Sequence, residues 1–190
     1  MDWGALLMDI HEIKSPKAMA EEGSAYYQKG EFYSAAVSFE AASQAYSITG
    51  DRRSEAEMAN NSSVAYLQAG KADKALTVLE GTAEIFESEG DIKRQGMALG
   101  NQAAALEALG RFDEAEQAYK DSAALLENAG EEQLKMEVMK SLSMMQLNMG
   151  RRLEALMTMQ SGVEDLRHPN LKQSLLKRLL NIPFEILNKK

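Results

Sequence analysis

Few side chains in this sequence have the chemistry that catalysis or metal binding requires. The 190 residues include only two histidines, His11 and His168, and no cysteine. Two histidines near opposite ends of the chain offer no paired zinc ligands and no nucleophile with a neighbouring base. A glycine-rich phosphate motif of the G-x-G-x-x-G type is also absent. We therefore predict surface histidines, no catalytic residue, no metal site, no cofactor and no enzymatic activity.

Neighbouring acidic residues are the next candidates for chemistry. Asp113 and Glu114 could form a carboxylate pair, but the pattern around them places both at the start of a helix, where negative charge complements free backbone N–H groups. Asp51 and Asp91 each follow a glycine, which is typical of a residue that caps the next helix. All four are predicted to stabilise helix starts.

An internal repeat of 40 residues organises the chain. Two columns show it, one of glycine and one of alanine five residues later. The glycines are Gly30, Gly70, Gly110 and Gly150, and the alanines are Ala35, Ala75, Ala115 and Ala155. Helix formers dominate the composition, and only three prolines occur. A repeat of this length indicates stacked units rather than one round core.

Each unit is predicted to be a pair of helices hinged at glycine, within units 16–50, 51–90, 91–130 and 131–166. In unit two, the second helix is expected to run without interruption over 71–89. Two columns of large apolar residues, seven positions apart on the second helices, are predicted to face the core. They are Phe39, Leu79, Tyr119 and Met159, and Tyr46, Phe86, Leu126 and Leu166.

The spacing within the units resembles the tetratricopeptide repeat (TPR). The order of Tyr26, Gly30, Phe32, Ala35 and Phe39 matches its pattern, and unit three repeats it. The 40-residue period is similar to that of Pins-type G-protein-signalling modulators, kinesin light chains and rapsyn. The resemblance implies an all-α protein, a right-handed αα-superhelix (α-solenoid) of four helix hairpins with flanking helices. Unit four departs from the pattern, with Gln146 in place of the aromatic residue.

In TPR arrays the first helices line a concave groove, and the resemblance places Asn61 and Asn101 in one groove column. An asparagine amide has both a donor and an acceptor, so it can bind the backbone of an extended peptide regardless of its sequence. The alternative is that both amides only solvate the groove or bond to neighbouring helices. Further candidate groove residues are Asn60, Gln28, Gln68, Glu57, Lys140, Asn148 and Tyr27.

The expected groove is polar and net acidic. Glu21, Glu57, Glu107 and Glu137 outnumber Lys17 and Lys140. This charge favours a partner protein or peptide segment with some basic character. It disfavours the basic carboxylate clamp of some TPR co-chaperones.

The flanking segments carry apolar stripes. Residues 1–14 are predicted to form an amphipathic helix, whose stripe is Trp3, Leu6, Leu7, Ile10 and Ile13. Residues 167–190 are locally basic and place Leu171, Leu175 and Leu179 on one helix face, with Leu176 and Leu180 beside them. We expect this helix to cap the array and Pro183 to end or kink it. The alternative is a basic amphipathic helix that meets a membrane or a partner.

Unit four is rich in methionine. It contains Met136, Met139, Met144, Met145, Met149, Met157 and Met159, seven of the chain's twelve. They are interpreted as tolerant core filling or, alternatively, as an adaptable docking surface.

The formal net charge of −8 argues against nucleic-acid binding and against general binding to anionic membranes. The absence of cysteine suits a reducing compartment, and the first residues lack a basic region followed by a long apolar run. The sequence therefore predicts a cytoplasmic protein.

Three functions follow from these observations. The first is a non-enzymatic scaffold or adaptor that binds a peptide or helix of a partner in the groove. The second is a structural module that self-assembles into homo-oligomers through its terminal helices. The third is a trafficking adaptor resembling the soluble NSF attachment proteins, which also stack αα-hairpins.

Overall fold

A computed structural model describes residues 14–164 and 166–187, and this part of the chain is built from α-helices. The predicted N-terminal helix over 1–14 lies outside the described residues except for Lys14, as do His11 and residues 188–190. The helices are α1 Pro16–Gln28, α2 Phe32–Thr49, α3 Arg52–Gln68, α4 Ala72–Val78, α5 Thr82–Ser88, α6 Ile92–Ala108, α7 Phe112–Asn128, α8 Glu132–Asn148, α9 Arg152–Glu164 and α10 Leu171–Leu187. Within the described ranges, no helix is long and apolar enough to span a membrane.

Side-chain caps stabilise the start of the first helix in each of units one to three. The Ser15 hydroxyl accepts from Ala18 N at 3.2 Å, and Pro16 opens α1. Asp51 Oδ1 accepts from Ser54 N at 3.1 Å, and Asp91 Oδ1 accepts from Arg94 N at 3.0 Å. These caps satisfy backbone N–H groups that a helix start leaves unpaired. The capping roles predicted for Asp51 and Asp91 are confirmed.

Each hairpin packs on the next one along the chain, and the first helices of units two to four also stack on one another. α3 contacts α6, and α6 contacts α8. Each buried cluster takes side chains from neighbouring hairpins: one joins Phe39 of α2 to Tyr66 of α3, and another joins Tyr119 of α7 to Leu142 of α8. The described part of the array is an all-α solenoid whose buried clusters join neighbouring hairpins.

The alanine column is buried between packed helices. Ala35, Ala75 and Ala115 are completely buried, and Ala155 is 5% exposed. Of the predicted core columns, Tyr46 and Met159 are only half-buried, and the others are buried.

The second helix of unit two differs from the prediction. It is not one helix over 71–89 but the two short helices α4 and α5, separated by a turn at 79–81. Gly81 has a φ of +76°, in the left-handed region that glycine adopts without steric cost. The other units have Ala41, Asp121 and Ser161 at this position, and there the helix continues.

The C-terminal helix α10 uses one face to cover the end of the array. Leu180 is buried with Met136, Val163 and Leu166, and Leu176 packs against this cluster. Asn170 caps the helix, since its Oδ1 accepts from Gln173 N at 3.0 Å. α10 continues through Pro183 to Leu187, so Pro183 does not end it.

A partly buried cluster of polar residues lies at Gln146, which stands in place of the aromatic residue in unit four. Arg151 Nη1 donates to Glu116 Oε2 of α7, and Lys120 Nζ lies 2.8 Å from Glu116 Oε1. Gln146 is 2% exposed, and its Nε2 lies 3.5 Å from Glu116 Oε1. The hydrogen bond from Arg151 lowers the pKa of Glu116 from 4.5 to about 2. Ion pairing therefore links unit three to unit four.

Gly81→Ala should destabilise the protein. An L-residue in the left-handed conformation costs about 1 kcal/mol, because its Cβ approaches the following carbonyl oxygen. Urea denaturation measures the change in the free energy of unfolding. An uninterrupted helix over 71–89 predicts the opposite sign, since alanine favours a helix by about 1 kcal/mol over glycine. A stabilised variant would therefore contradict the turn at Gly81.

Arg151→Gln should lower stability at pH 6 and should matter less in acid. Because the folded-state pKa of Glu116 is depressed to about 2, its ion pair stabilises the fold above pH 4.5 and is lost as the pH falls towards 2. Denaturation of the wild type and the variant between pH 6 and pH 2 measures this difference. A gap in stability that is the same at both ends of the range would rule out the Glu116–Arg151 pair as its cause.

Candidate functional site

Three adjoining clefts lie along the first helices, and Asn61 lines all of them. The central cleft has a volume of about 380 Å³ and is lined by residues of α3, α6, α7 and α8. Its polar residues include Asn60, Asn61 and Asn101, and its apolar residues include Met97 and Val138. The 40-residue period places these residues together, because it superimposes the same helix face in successive layers.

An amide pair crosses the central cleft. Asn101 Nδ2 of α6 donates to Asn60 Oδ1 of α3 at 2.8 Å, and both side chains are half-buried. The sequence placed Asn101 in one column with Asn61, but its hydrogen-bond partner is Asn60. This hydrogen bond does not use the side-chain N–H donors of Asn60 or the side-chain carbonyl oxygen of Asn101. A donor and an acceptor of this kind complement the C=O and N–H groups of a peptide unit.

Gly100 lies in close contact with α7 and α8 beside this pair. A Cβ there would lie 3.1 Å from Ser122 Oγ and 3.5 Å from Val138 Cγ2. Ser122 itself is held by its hydroxyl, which donates to Gly96 O at 2.6 Å. Sequence reasoning missed Gly100 as a lining residue, although a glycine inside a predicted helix often has a packing reason.

The first cleft adjoins the central one towards the N-terminal end of the array. Tyr27 and Gln28 of α1 line it, with Phe39 of α2, and it shares Asn61 and Val64 with the central cleft. The Tyr27 ring meets Phe32 edge-on, with centroids 5.3 Å apart, which fixes the aromatic wall of the cleft. The predicted residues Tyr27 and Gln28 thus lie next to the asparagines.

The third cleft contains an ion-paired carboxylate. Glu57 lines it together with Asn60, Asn61 and Arg94. Glu57 Oε1 lies 3.1 Å from Arg94 Nη2 and 3.4 Å from Arg53 Nε. Arg94 was not predicted as a site residue. Its position three residues after the capping Asp91 allows it to contact Asp91 as well, at 2.6 Å.

Gln68, Lys140 and Asn148 do not line any of the three clefts. All three are exposed, and Lys140 Nζ pairs with Glu137 Oε2 at 3.0 Å. Gln68 and Asn148 are the last residues of α3 and α8, at the hinge end of each hairpin. The structure therefore separates these three predicted residues from the asparagines.

The four predicted groove carboxylates all have partners. Glu57 and Glu137 are paired as above, Glu21 lies 3.9 Å from Lys17, and Glu107 accepts from the Tyr119 hydroxyl at 2.8 Å. Burial, followed by this hydrogen bond, raises the pKa of Tyr119. The prediction of a net acidic groove counted neither Arg53 nor Arg94, so the charge near the clefts is closer to neutral than expected.

No group of three or more His, Cys, Asp or Glu side chains in the described ranges is arranged to hold a metal ion. His168 is exposed, as predicted for a surface histidine.

Solved structures with the same arrangement of helices are known. The crystal structure of nearly identical TPR-like repeats from a Podosopora anserina protein assigned to the kinesin light chains superimposes with a TM-score of 0.69. It is 16% identical in sequence, and the match covers 94% of this chain and 90% of that one. A methionine-substituted variant of the same repeats gives 17% identity and the same TM-score, with 94% and 92% covered.

BtubC (BKLC) from P. vanneervenii is a second type of neighbour, with a TM-score of 0.65, 14% identity, and 91% of this chain and 74% of that one covered. The fold is TPR-like. No family model matches the sequence, and no curated protein is similar to it in sequence. The predicted TPR-like solenoid is thus confirmed as a fold, and the clefts lie on the first helices of its TPR-like hairpins.

A double-mutant cycle tests the amide pair. Asn60→Ala, Asn101→Ala and the double variant should show a coupling free energy of about 0.5–1.5 kcal/mol, the usual net value of one hydrogen bond. Urea denaturation gives the four stabilities. Asn61→Ala paired with Asn101→Ala is the matched control, and its two effects should add. Equal coupling in both cycles would contradict the assignment of Asn60 as the partner.

Proposed function

We propose that the protein is a non-enzymatic adaptor that holds an extended segment of a partner protein along the three clefts. The observation that carries this proposal is that Asn61 lines all three clefts beside the Asn60–Asn101 amide pair. A continuous line of amide donors and acceptors on stacked helices suits a peptide backbone. Tetratricopeptide arrays, which this chain resembles in sequence pattern and fold, supply the precedent for such a groove.

Apolar contacts on both sides of Asn61 supply the remaining affinity. Tyr27, Phe39 and Val64 line the first cleft, and Met97 and Val138 line the central cleft together with Gly100. Side chains of an extended segment project alternately to its two sides. A segment with apolar residues at alternating positions can therefore place one in each cleft while the asparagines bind its backbone.

Basic residues in the partner are proposed to act through long-range attraction. Glu57 and Glu137 already hold basic side chains of this chain, so they offer few new fixed ion pairs. The net charge of −8 still favours the approach of a basic segment and speeds its association. The lack of cysteine suits a reducing compartment, and we place the adaptor in the cytoplasm.

The combined variant Asn61→Ala with Asn101→Ala should weaken peptide binding. Short random peptides selected for binding to the immobilised full chain provide the ligand, and fluorescence anisotropy measures its Kd. Two lost hydrogen bonds of about 0.5–1.5 kcal/mol each predict a Kd that is roughly 5- to 150-fold higher. Circular dichroism should be unchanged at 25 °C.

The matched control is Gln68→Ala with Asn148→Ala, which removes two exposed amides outside the clefts. This control should bind the selected peptide within about twofold of the wild type, because neither amide can reach a ligand centred on Asn61. Equal binding by wild type and Asn61/Asn101 variant, or an equal loss in the control, would refute the groove proposal. So would failure to select any peptide.

A further inference from the structure

The C-terminal helix α10 occupies the place of the first helix of a further hairpin. It begins at Leu171, 39 residues after α8 begins at Glu132, and both helices are 17 residues long. Like the first helices of the preceding hairpins, it packs on the hairpin before it, through Leu176 and Leu180. In those hairpins, a second helix covers the other side of the first helix.

The other side of α10 carries an exposed apolar stripe. Leu171, Leu175 and Leu179 are 91%, 59% and 53% exposed, and their spacing of four residues puts them on one face. We call these three residues the leucine face. No described residue covers it, whereas Met136, the residue of α8 that corresponds to Leu175, is buried in a cluster with Val163 of the second helix α9.

We propose that the N-terminal segment of a second copy of this chain docks on the leucine face and takes the place of the second helix. The sequence of residues 3–13 supplies an apolar stripe of helical spacing, Trp3, Leu6, Leu7, Ile10 and Ile13. Two apolar stripes of similar length can then bury each other, as the two helices of a hairpin do.

Charge favours this pairing over the pairing of two α10 helices. Lys172, Lys177 and Arg178 flank the leucine face, and the sequence has no acidic residue between Leu171 and Pro183. Residues 1–13 contain Asp2, Asp9 and Glu12 and no lysine or arginine. Docking the N-terminal segment brings opposite charges together, whereas two copies of α10 would bring like charges together.

The segment must come from another copy, because the two ends of the array are far apart. α1 packs on α2, and α10 packs on α9 at the opposite end of the stack. Four helix layers at about 8–10 Å each separate α1 from α10 by roughly 30–40 Å. Thirteen residues in a helix span only about 20 Å.

This contact joins different surfaces of the two copies, so it forms rings or open chains rather than a two-fold dimer. The leucine face shares no residue with the three clefts. Assembly therefore stands or falls independently of peptide binding at Asn61.

Complementation between two variants of the full chain tests the proposal. One variant, Leu175→Ser with Leu179→Ser, removes the leucine face, and the other, Trp3→Ala with Leu7→Ala, removes the apolar stripe. In analytical ultracentrifugation the wild type should associate as its concentration rises, and each variant alone should associate at least about tenfold more weakly. Mixed together, they should form a 1:1 complex, because each retains the half that the other lacks.

The control variant is Leu153→Ser with Met157→Ser on α9, which removes apolar side chains that are 68% and 54% exposed. It should associate like the wild type. Trp3 is the only tryptophan, so its emission should shift to the blue as the wild type associates.

Four results would overturn the proposal. They are a wild type that stays monomeric from micromolar to millimolar concentration, an equal loss of association in the α9 control, variants that fail to complement, and a blue-shifted Trp3 emission that is independent of concentration. The last result would show docking within one chain.

Discussion

The close approach of helices at alanine and glycine positions is the constraint on which the rest of this array depends. Ala35, Ala75 and Ala115 have no exposed surface, and a Cβ at Gly96 would lie 2.9 Å from Leu126 Cγ. Larger side chains at such crossings would push the helices apart, and overpacking of this kind commonly costs about 1–3 kcal/mol. Because each layer packs on the next, a displacement at one crossing is transmitted to the neighbouring hairpins.

The clefts are a consequence of that stacking. Asn60 and Asn101 can share a hydrogen bond of 2.8 Å only because α3 and α6 lie side by side at close range. Asn61 then stands where the three clefts meet. A rigid array of helices positions polar side chains more accurately than a loop can, and the proposed binding of a peptide backbone depends on such positioning.

The ends of the array follow different rules from its middle. In the middle, each hairpin covers the apolar face of the one before it. At the C-terminal end, α10 covers unit four with Leu176 and Leu180 but presents Leu171, Leu175 and Leu179 to solvent.

The methionines of unit four also divide between the core and the surface: Met136 and Met145 are buried, whereas Met144 and Met157 are more than half exposed. The core interpretation holds for the buried methionines, and the docking surface predicted for the others stays a prediction.

Local and periodic features were determined by the sequence alone. The 40-residue period, the caps at Asp51 and Asp91, and the buried alanine column depend on interactions within a few residues or on the same face of successive units, so they can be read along the chain. Gly81 shows the limit of this reasoning, because averaging over the repeat concealed a turn that one glycine produces.

Only the tertiary structure decided which side chains meet across the layers. Asn101 donates a hydrogen bond to Asn60, although the sequence had aligned it with Asn61. Arg94 forms an ion pair with Glu57, and Leu176 and Leu180 are the leucines of α10 that pack against the array. The reason is geometric: a rotation of a helix by one residue is about 100°, and the crossing angle and register between helices set this rotation. Neither is encoded in the spacing of residues along a single helix.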